Sequence, residues 1–270
     1  MTLPSYSMNV KTFPELYERQ LVGPLFKPWA EDLLGRVSLA PGDRVLDIAC
    51  GTGIVARLAK ARLGPDSLVV GIDSSPPMIA VASEREPTVD WRVGDAAALP
   101  VTGSDRFDLV VCQQGMQFFA DRLGAAREMR RVLAPGGRAG VSTWRPIEEH
   151  PLLLEFKRAA ERYVGPFVDQ RHALGDGGEL ERLLRAGGFV DVRVETVTQT
   201  ASFEDPEAFL RMNAMAMIGM SGAAADASES ERRRLADIVT RECEPLAAPY
   251  LRDGRLAVPY ASNVAVARIS

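Results

Sequence analysis

The chain of 270 residues carries 32 Lys and Arg against 36 Asp and Glu, a formal net charge of −4, so no global positive field is available to gather nucleic acid or anionic lipid. Its three cysteines, Cys50, Cys112 and Cys243, match neither a disulfide framework nor a metal-ligand spacing. No uncharged run reaches the roughly 20 residues of a membrane helix, and the N-terminus lacks the apolar segment of an export signal. These counts leave a soluble, cytoplasmic protein with no metal as the expectation, its 270 residues forming one large domain. The basic clusters "REMRR" at 127–131 and "ERRRL" at 231–235 fall within helical patterns and read as solvated helix faces.

In chain order, "TFPELYERQLVGPLFKPWAEDLL" predicts one or two short helices broken near Gly23-Pro24 and Pro28, an N-terminal cap over 1–37. Between residues 44 and 144 two periodicities alternate, the pattern of a parallel sheet with helices on both faces. The predicted strands are "RVLDIA" (44–49), "LVVGID" (68–73), "VDWRV" (89–93), "FDLVVCQ" (107–113) and "GRAGVSTW" (137–144). The first helix between them closes at Gly64, the next has Ser75 as N-cap before Pro76, and another opens at Asp121 and ends at "PGG" (135–137). This block, 38–145, is the expected ligand-binding core. Beyond it, 146–176 and 205–252 read as helical lid insertions, the second divided by a small-residue loop, "MSGAAADASESE". Residues 177–204 and 253–270 hold the last helix, stopped at Gly187-Gly188, and the closing strands; Val192, Val194 and Val197 lie mostly on one side of the first of these.

The loop after the first strand decides the chemistry. "GTGIVA" from Gly51 satisfies the dinucleotide pattern, and Asp73 lies 20 residues past Gly53, where an acid meets a ribose. A nicotinamide-dependent oxidoreductase is therefore one reading. Asp47 opposes it, since at 4 Å two like unit charges cost on the order of 4 kcal/mol at an effective dielectric of 20, and a pyrophosphate there would face that carboxylate. Asp95, in "GDAAALP" after the third strand, adds another acid. Asp47, Asp73 and Asp95 thus reach one rim of the sheet from three successive strands. Three acids around a glycine loop suit a nucleoside without phosphates that carries positive charge and amino groups, and S-adenosylmethionine has that character.

With these motifs in order, residues 40–145 resemble the class I S-adenosylmethionine-dependent methyltransferases: "VLDIACGTG", "GIDSSPPMI", "GDAAALP", "FDLVVCQQGMQFF" and "VLAPGGR" look like five successive family motifs. The flanking segments are similar to small-molecule methyltransferases of the ubiquinone and menaquinone type and their relatives in secondary metabolism. The resemblance implies an α/β fold, a doubly wound, mostly parallel seven-stranded sheet whose antiparallel last strand would lie at about 256–269, plus the helical lid. It also implies that Gly51 and Gly53 let the backbone approach the methionine part, with Asp47 near the ammonium. Asp73, beside Ser74, would take the ribose hydroxyls, and Asp95, after Gly94, the adenine amine. The Ala96 amide would face a ring nitrogen, Met78 would pack on the adenine, and Gln113 would border the methyl donor. Ala49 departs from the family by standing where a glycine is frequent.

On the acceptor side, a general base is required only if the acceptor must lose a proton, and the candidates are His150 and His172. Gln114, Gln117 and Phe118 after the fourth strand, and Trp144 at the end of the fifth, are the expected acceptor contacts. "FLRMNAMAMIGM" brings Met212 and Met215 as pocket wall or core, and Tyr17, Phe26 and Trp29 either close the same pocket or pack the N-terminal helices. The expectation is methyl transfer, at oxygen, carbon or nitrogen, to a small, lipophilic or aromatic metabolite. A cofactor-binding protein without catalysis stays open beside the oxidoreductase, as does a homodimer.

Overall fold

The computed structural model describes residues 13–102, 105–224 and 227–270; the first twelve residues of the expected cap and two of the small-residue loop lie outside them. Helix α1 (Phe13–Tyr17) runs through a π-helical segment (Glu18–Phe26) into α2 (Lys27–Arg36). The expected break at Gly23-Pro24 is therefore absent. Tyr17 and Phe26, the joints, keep right-handed helical angles (φ −56° and −78°), and the wider π turn holds a proline that has no N–H to donate.

The alternation then follows the sequence reading: β1 (Val45–Ile48), α3 (Ile54–Leu63), β2 (Val69–Asp73), α4 (Pro76–Arg85), β3 (Asp90–Val93), β4 (Phe107–Gln113), α5 (Arg122–Val132) and β5 (Leu133–Trp144). Gly64, at φ 93°, ends α3, and Asp121 caps α5 by accepting from Gly124 N. Ser75 is the N-cap of α4 without lending its side chain. β5 begins earlier than predicted: Leu133 already pairs with Phe107, and an irregularity in the register follows before Leu109 meets Arg138. The "PGG" stretch therefore lies inside the strand.

After β5 come α6 (Pro151–Val164), α7 (Gly177–Ala186), β6 (Val190–Phe203), α8 (Pro206–Met220), α9 (Glu229–Ala247), β7 (Leu251–Arg252) and β8 (Arg255–Arg268). The strand order is β3-β2-β1-β4-β5-β8-β6, with β7 on β8. β1 to β5 are parallel neighbours, and β8 runs antiparallel between β5 and β6, as expected for the closing strand. The two-residue turn from β7 to β8 is Asp253-Gly254 with both φ positive (49° and 76°), the hairpin geometry that this dipeptide favours.

Because strand residues alternate between faces, Val45, Leu109 and Val111 face one apolar layer while Leu46, Val110 and Val141 face another. The first is covered by Trp29, Leu33, Val55 and Phe156, with Phe209, Met217 and Val239 of α8 and α9; the second by Met129, Leu180 and Leu184 of α5 and α7. Among the described residues, no helix is long and apolar enough to cross a membrane. The chain steps from β1 outward to β2 and β3, then crosses to β4 on the other side. That reversal opens a crevice at the carboxyl ends of β1 and β4, where open α/β sheets take their ligands.

Candidate functional site

The turn leaving β1 is wound through the left-handed region, with Ala49 at φ 55°, Gly51 at 57° and Gly53 at 87°. Glycine adopts such angles without cost and alanine does not, so the non-glycine at Ala49 leaves strain in the loop. Its neighbour across the crevice, Gln114 at the tip of β4, also has positive φ (52°). Between them lies Gly115, where any Cβ would come within 2.5 Å of the Ala49 Cβ. Strained residues thus stand at the tips of two adjacent strands, where strain commonly accompanies a functional site.

Three acids organise the turn from below and beside. Asp47, 1% exposed, accepts from Ala56 N in the first turn of α3 at 3.0 Å, while its other oxygen has no hydrogen-bond partner. Burial and repulsion from Asp73 outweigh that hydrogen bond and push its carboxyl up to about 8. Asp73 is also raised, chiefly by burial, against the pull of two amides: its oxygens accept from Gly51 N and Ser75 N, each at 2.8 Å. Asp95 is exposed; one oxygen accepts from Ala97 N at 2.8 Å, an Asx turn, and the other has no partner among the described residues. Gly94 N donates to Asp73 O at 3.0 Å, tying the second and third acids together. Ser74 is exposed, Met78 half-buried in the first turn of α4, and Ala96 buried.

The pKa of Asp47 carries a testable sign. A carboxyl raised from 3.8 to about 8 by folding holds its proton more tightly in the folded chain, so the stability it lends is full below about pH 4 and is lost as pH climbs towards 8. Asp47→Asn keeps an acceptor for Ala56 N and removes the titration. Urea unfolding of the ligand-free protein should show the variant gaining on the wild type between pH 5 and 8.5 by a few kcal/mol, with a slope of at most about 1.4 kcal/mol per pH unit. A difference that stays constant with pH would refute the assignment.

The amides decide which ligand the loop suits. A phosphate-cradling loop points free N–H groups at its anion. Here Cys50 N donates to Ile72 O, Gly53 N to Cys50 O, Gly51 N to Asp73 and Ala56 N to Asp47. Four donors of the turn are therefore committed to the protein, two of them to carboxylates. The charge of Arg57 on α3 is already matched, its Nη2 donating to both oxygens of Glu18 at 2.9 and 3.1 Å while its Nε is buried. The donor set fits a ligand that offers hydroxyls, amines and positive charge.

Two contacts around this loop were not legible in the sequence. The indole of Trp91 on β3 lies against the backbone of Gly53 and Gly71, 2.2 Å from where either would carry a Cβ, so those glycines are required for contact with a side chain rather than with a ligand alone. Tyr17 is the other: its hydroxyl lies 3.8 Å from the Cβ position of Gly51, which places it over the glycine turn as well as against Phe26. The only cue in the sequence was an aromatic in the N-terminal helix, and nothing local reveals where that helix docks.

The remaining candidates gather past the tips of β4 and β5. Tyr17 stacks on Phe26 with centroids 5.0 Å apart, and Trp144 is the hub for Phe26, Trp29, Tyr260 and His150 at 6.4, 5.5, 5.2 and 6.3 Å. Gln113, Gln114 and Gln117 are buried. Their amide nitrogens donate to Phe26 O, Ser262 Oγ and Gln114 O, which leaves three carbonyl oxygens without protein partners. Phe118 is half-buried in the short turn that follows. Met215 packs on the first apolar layer, whereas Met212 is buried outside it.

The two histidines separate clearly. His150 has Nδ1 at 3.1 Å from Pro146 O and Nε2 at 3.1 Å from both the carbonyl and the amide of Ala261. It joins the start of α6 to β8 and has both ring nitrogens occupied. His172 donates from Nδ1 to Arg145 O at 2.7 Å and keeps Nε2 unpartnered, 3.9 Å from the Asp169 carboxylate. Burial, outweighing Asp169, lowers it to about 4, so it stands neutral at pH 7 with that nitrogen as acceptor.

Comparison with known proteins places this geometry. Residues 45–137 match a family described as "Methyltransferase domain". Nocamycin O-methyltransferase of Saccharothrix syringae is 36% identical over 191 residues, covering 62% of this chain and 66% of that protein. A 2-phytyl-1,4-naphtoquinone methyltransferase of Synechococcus elongatus is 34% identical over 175 residues, 62% of this chain and 74% of its own length. Among solved structures, phosphoethanolamine N-methyltransferase 2 of Haemonchus contortus, with phosphomonomethylethanolamine and S-adenosylhomocysteine, superposes with a TM-score of 0.60 at 20% identity, over 100% of this chain and 60% of that one. The [4+2]-cyclase SpnF does so with a TM-score of 0.52 at 22% identity, covering 90% and 80%. Both show likeness of fold.

Proposed function

Since the chain belongs to the class I S-adenosylmethionine-dependent methyltransferases, we propose that it methylates a small, apolar, aromatic or quinonoid metabolite at oxygen, carbon or nitrogen by in-line displacement. When bound, S-adenosylmethionine supplies a methyl carbon activated by its sulfonium, and displacement leaves that bond's electron pair on a neutral sulfur. The protein's tasks are then to hold the donor, align the acceptor and exclude water.

The observation that carries this reading is the commitment of the turn's amides to Asp47, Asp73 and Cys50, which suits a phosphate-free cation and disfavours a dinucleotide. Asp73 would accept from the ribose hydroxyls with its remaining lone pairs, the second oxygen of Asp95 from the adenine amine, and Ala96 N would meet a ring nitrogen beside Met78. Asp47 fixes the turn and leaves an unpartnered oxygen beneath the positively charged end. Gln113 borders the transferred methyl.

For the acceptor, relatives named for nocamycin and a naphthoquinone support a flat, apolar molecule beside Phe26, the half-buried member of an aromatic cluster whose Trp29, Trp144 and Tyr260 belong to the core. Where that molecule must lose a proton, His172, the histidine of the two with a nitrogen left unpartnered, is the candidate base, and its low basicity suits an acceptor that is itself acidic. Incubation with methyl-tritiated cofactor and a panel of hydroquinones, naphthols and enolic macrocycles should label at least one of them, and Asp73→Ala should abolish the transfer. Label passing only to protein, nucleic acid or phospholipid would contradict the proposal.

A further inference from the structure

We infer that Tyr17 is a cofactor-positioning residue: its hydroxyl donates a hydrogen bond to the α-carboxylate of the methionine tail, from a helical strap that closes over the glycine turn. The inference rests on the cofactor reading above and concerns the one part of S-adenosylmethionine that the acids cannot serve. The tail ends in an ammonium and a carboxylate. Asp47 and Asp73 offer oxygens, suited to the ammonium, and would repel the carboxylate, which requires donors.

Donors at this turn are scarce. The amides of Cys50, Gly51, Gly53 and Ala56 are engaged, the Cys50 thiol turns to Gly51 O, Arg57 Nη2 is held by Glu18, and the two donors left without a partner, Thr52 Oγ1 and Arg57 Nε, are buried in the protein. Tyr17 differs. Its hydroxyl has no hydrogen-bond partner among the described residues, and it stands 3.8 Å from the Cβ position of Gly51, with ring atom Cε1 at 3.9 Å. Stacking on Phe26 and contact with Phe13, centroids 5.0 and 6.1 Å away, hold the ring, so little rotamer freedom is lost on bonding. The neighbouring residue anchors the strap: both oxygens of Glu18 accept from Arg57 Nη2, with side-chain exposures of 10% and 19%, which ties the strap to the helix leaving the turn. Burial and the surrounding acids raise the phenol further above its ordinary value, so it keeps its proton and stays a donor.

The test uses two ligands that differ only in the carboxylate: S-adenosylhomocysteine and its decarboxylated form, S-adenosyl-3-thiopropylamine. Isothermal titration of the wild type should show the former binding more tightly. Tyr17→Phe should weaken S-adenosylhomocysteine by about tenfold or more, the range for a hydrogen bond to a charged group, and leave S-adenosyl-3-thiopropylamine within twofold, so that the preference disappears. Equal weakening of both ligands, or no change in either, overturns the inference and leaves the cofactor reading intact. A wild type that binds neither ligand overturns both.

Discussion

Asp73→Ala should weaken binding of S-adenosylhomocysteine by at least about 100-fold, the largest loss expected from a single side chain in this site. Hydrogen bonds to a charged acceptor contribute about 1.5–3 kcal/mol each, and in the proposed complex the carboxylate takes two ribose hydroxyls. The same oxygens already accept from Gly51 N and Ser75 N, so the substitution also frees the glycine turn and should lower folding stability by about 1–3 kcal/mol. Asp73→Asn separates the two effects, because it retains an acceptor for one amide while the charge is gone. Its stability should lie nearer the wild type and its affinity nearer the alanine variant. An alanine variant that binds within threefold of the wild type would remove Asp73 from the cofactor site.

The largest stability effect should come from Gly53→Ala, at about 2–4 kcal/mol of destabilisation. Two costs combine. At φ 87° an alanine pays roughly 1–2 kcal/mol for the left-handed conformation, and its Cβ would lie 2.2 Å from the Trp91 indole, an overpacking that typically adds 1–3 kcal/mol. The costs are separable by a double-mutant cycle, since residues in contact are not additive. Trp91→Leu should be less damaging in the Gly53→Ala background than in the wild type, because it relieves the collision. Urea denaturation of the four proteins measures this, and strict additivity would mean that the indole does not meet residue 53.

The core was legible because its signals are local. Short apolar strands ending in small-residue turns fixed the order of β1 to β5, and Gly64 and Asp121 marked helix ends by conformations and caps that few other residues supply. The placement of Asp73 beside the glycine turn followed from the rule that ligands collect at carboxyl strand ends. What escaped was long-range. The continuous helix through Pro24 depends on π-helical turns with no distinctive residue pattern, and Tyr17 reaches Gly51 only because that helix packs back across the sheet. The role of Asp47 was half read: its buried carboxyl secures the start of α3, which a motif position alone does not reveal. His150 and His172 looked equivalent in the sequence, and only the packing of β8 and of Arg145 shows that one is bound at both nitrogens and the other at one.

The amides of Cys50, Gly51, Gly53 and Ala56 already serve acceptors of the protein, two of them carboxylates, and the turn should therefore receive a phosphate-free, cationic adenosine derivative. Paired calorimetric titrations of the purified chain with S-adenosylhomocysteine and with reduced nicotinamide dinucleotides decide this. Saturable one-to-one binding of S-adenosylhomocysteine, with no heat from the dinucleotides at millimolar concentration, is the predicted result. Tight dinucleotide binding, in the absence of any response to S-adenosylhomocysteine, would contradict it.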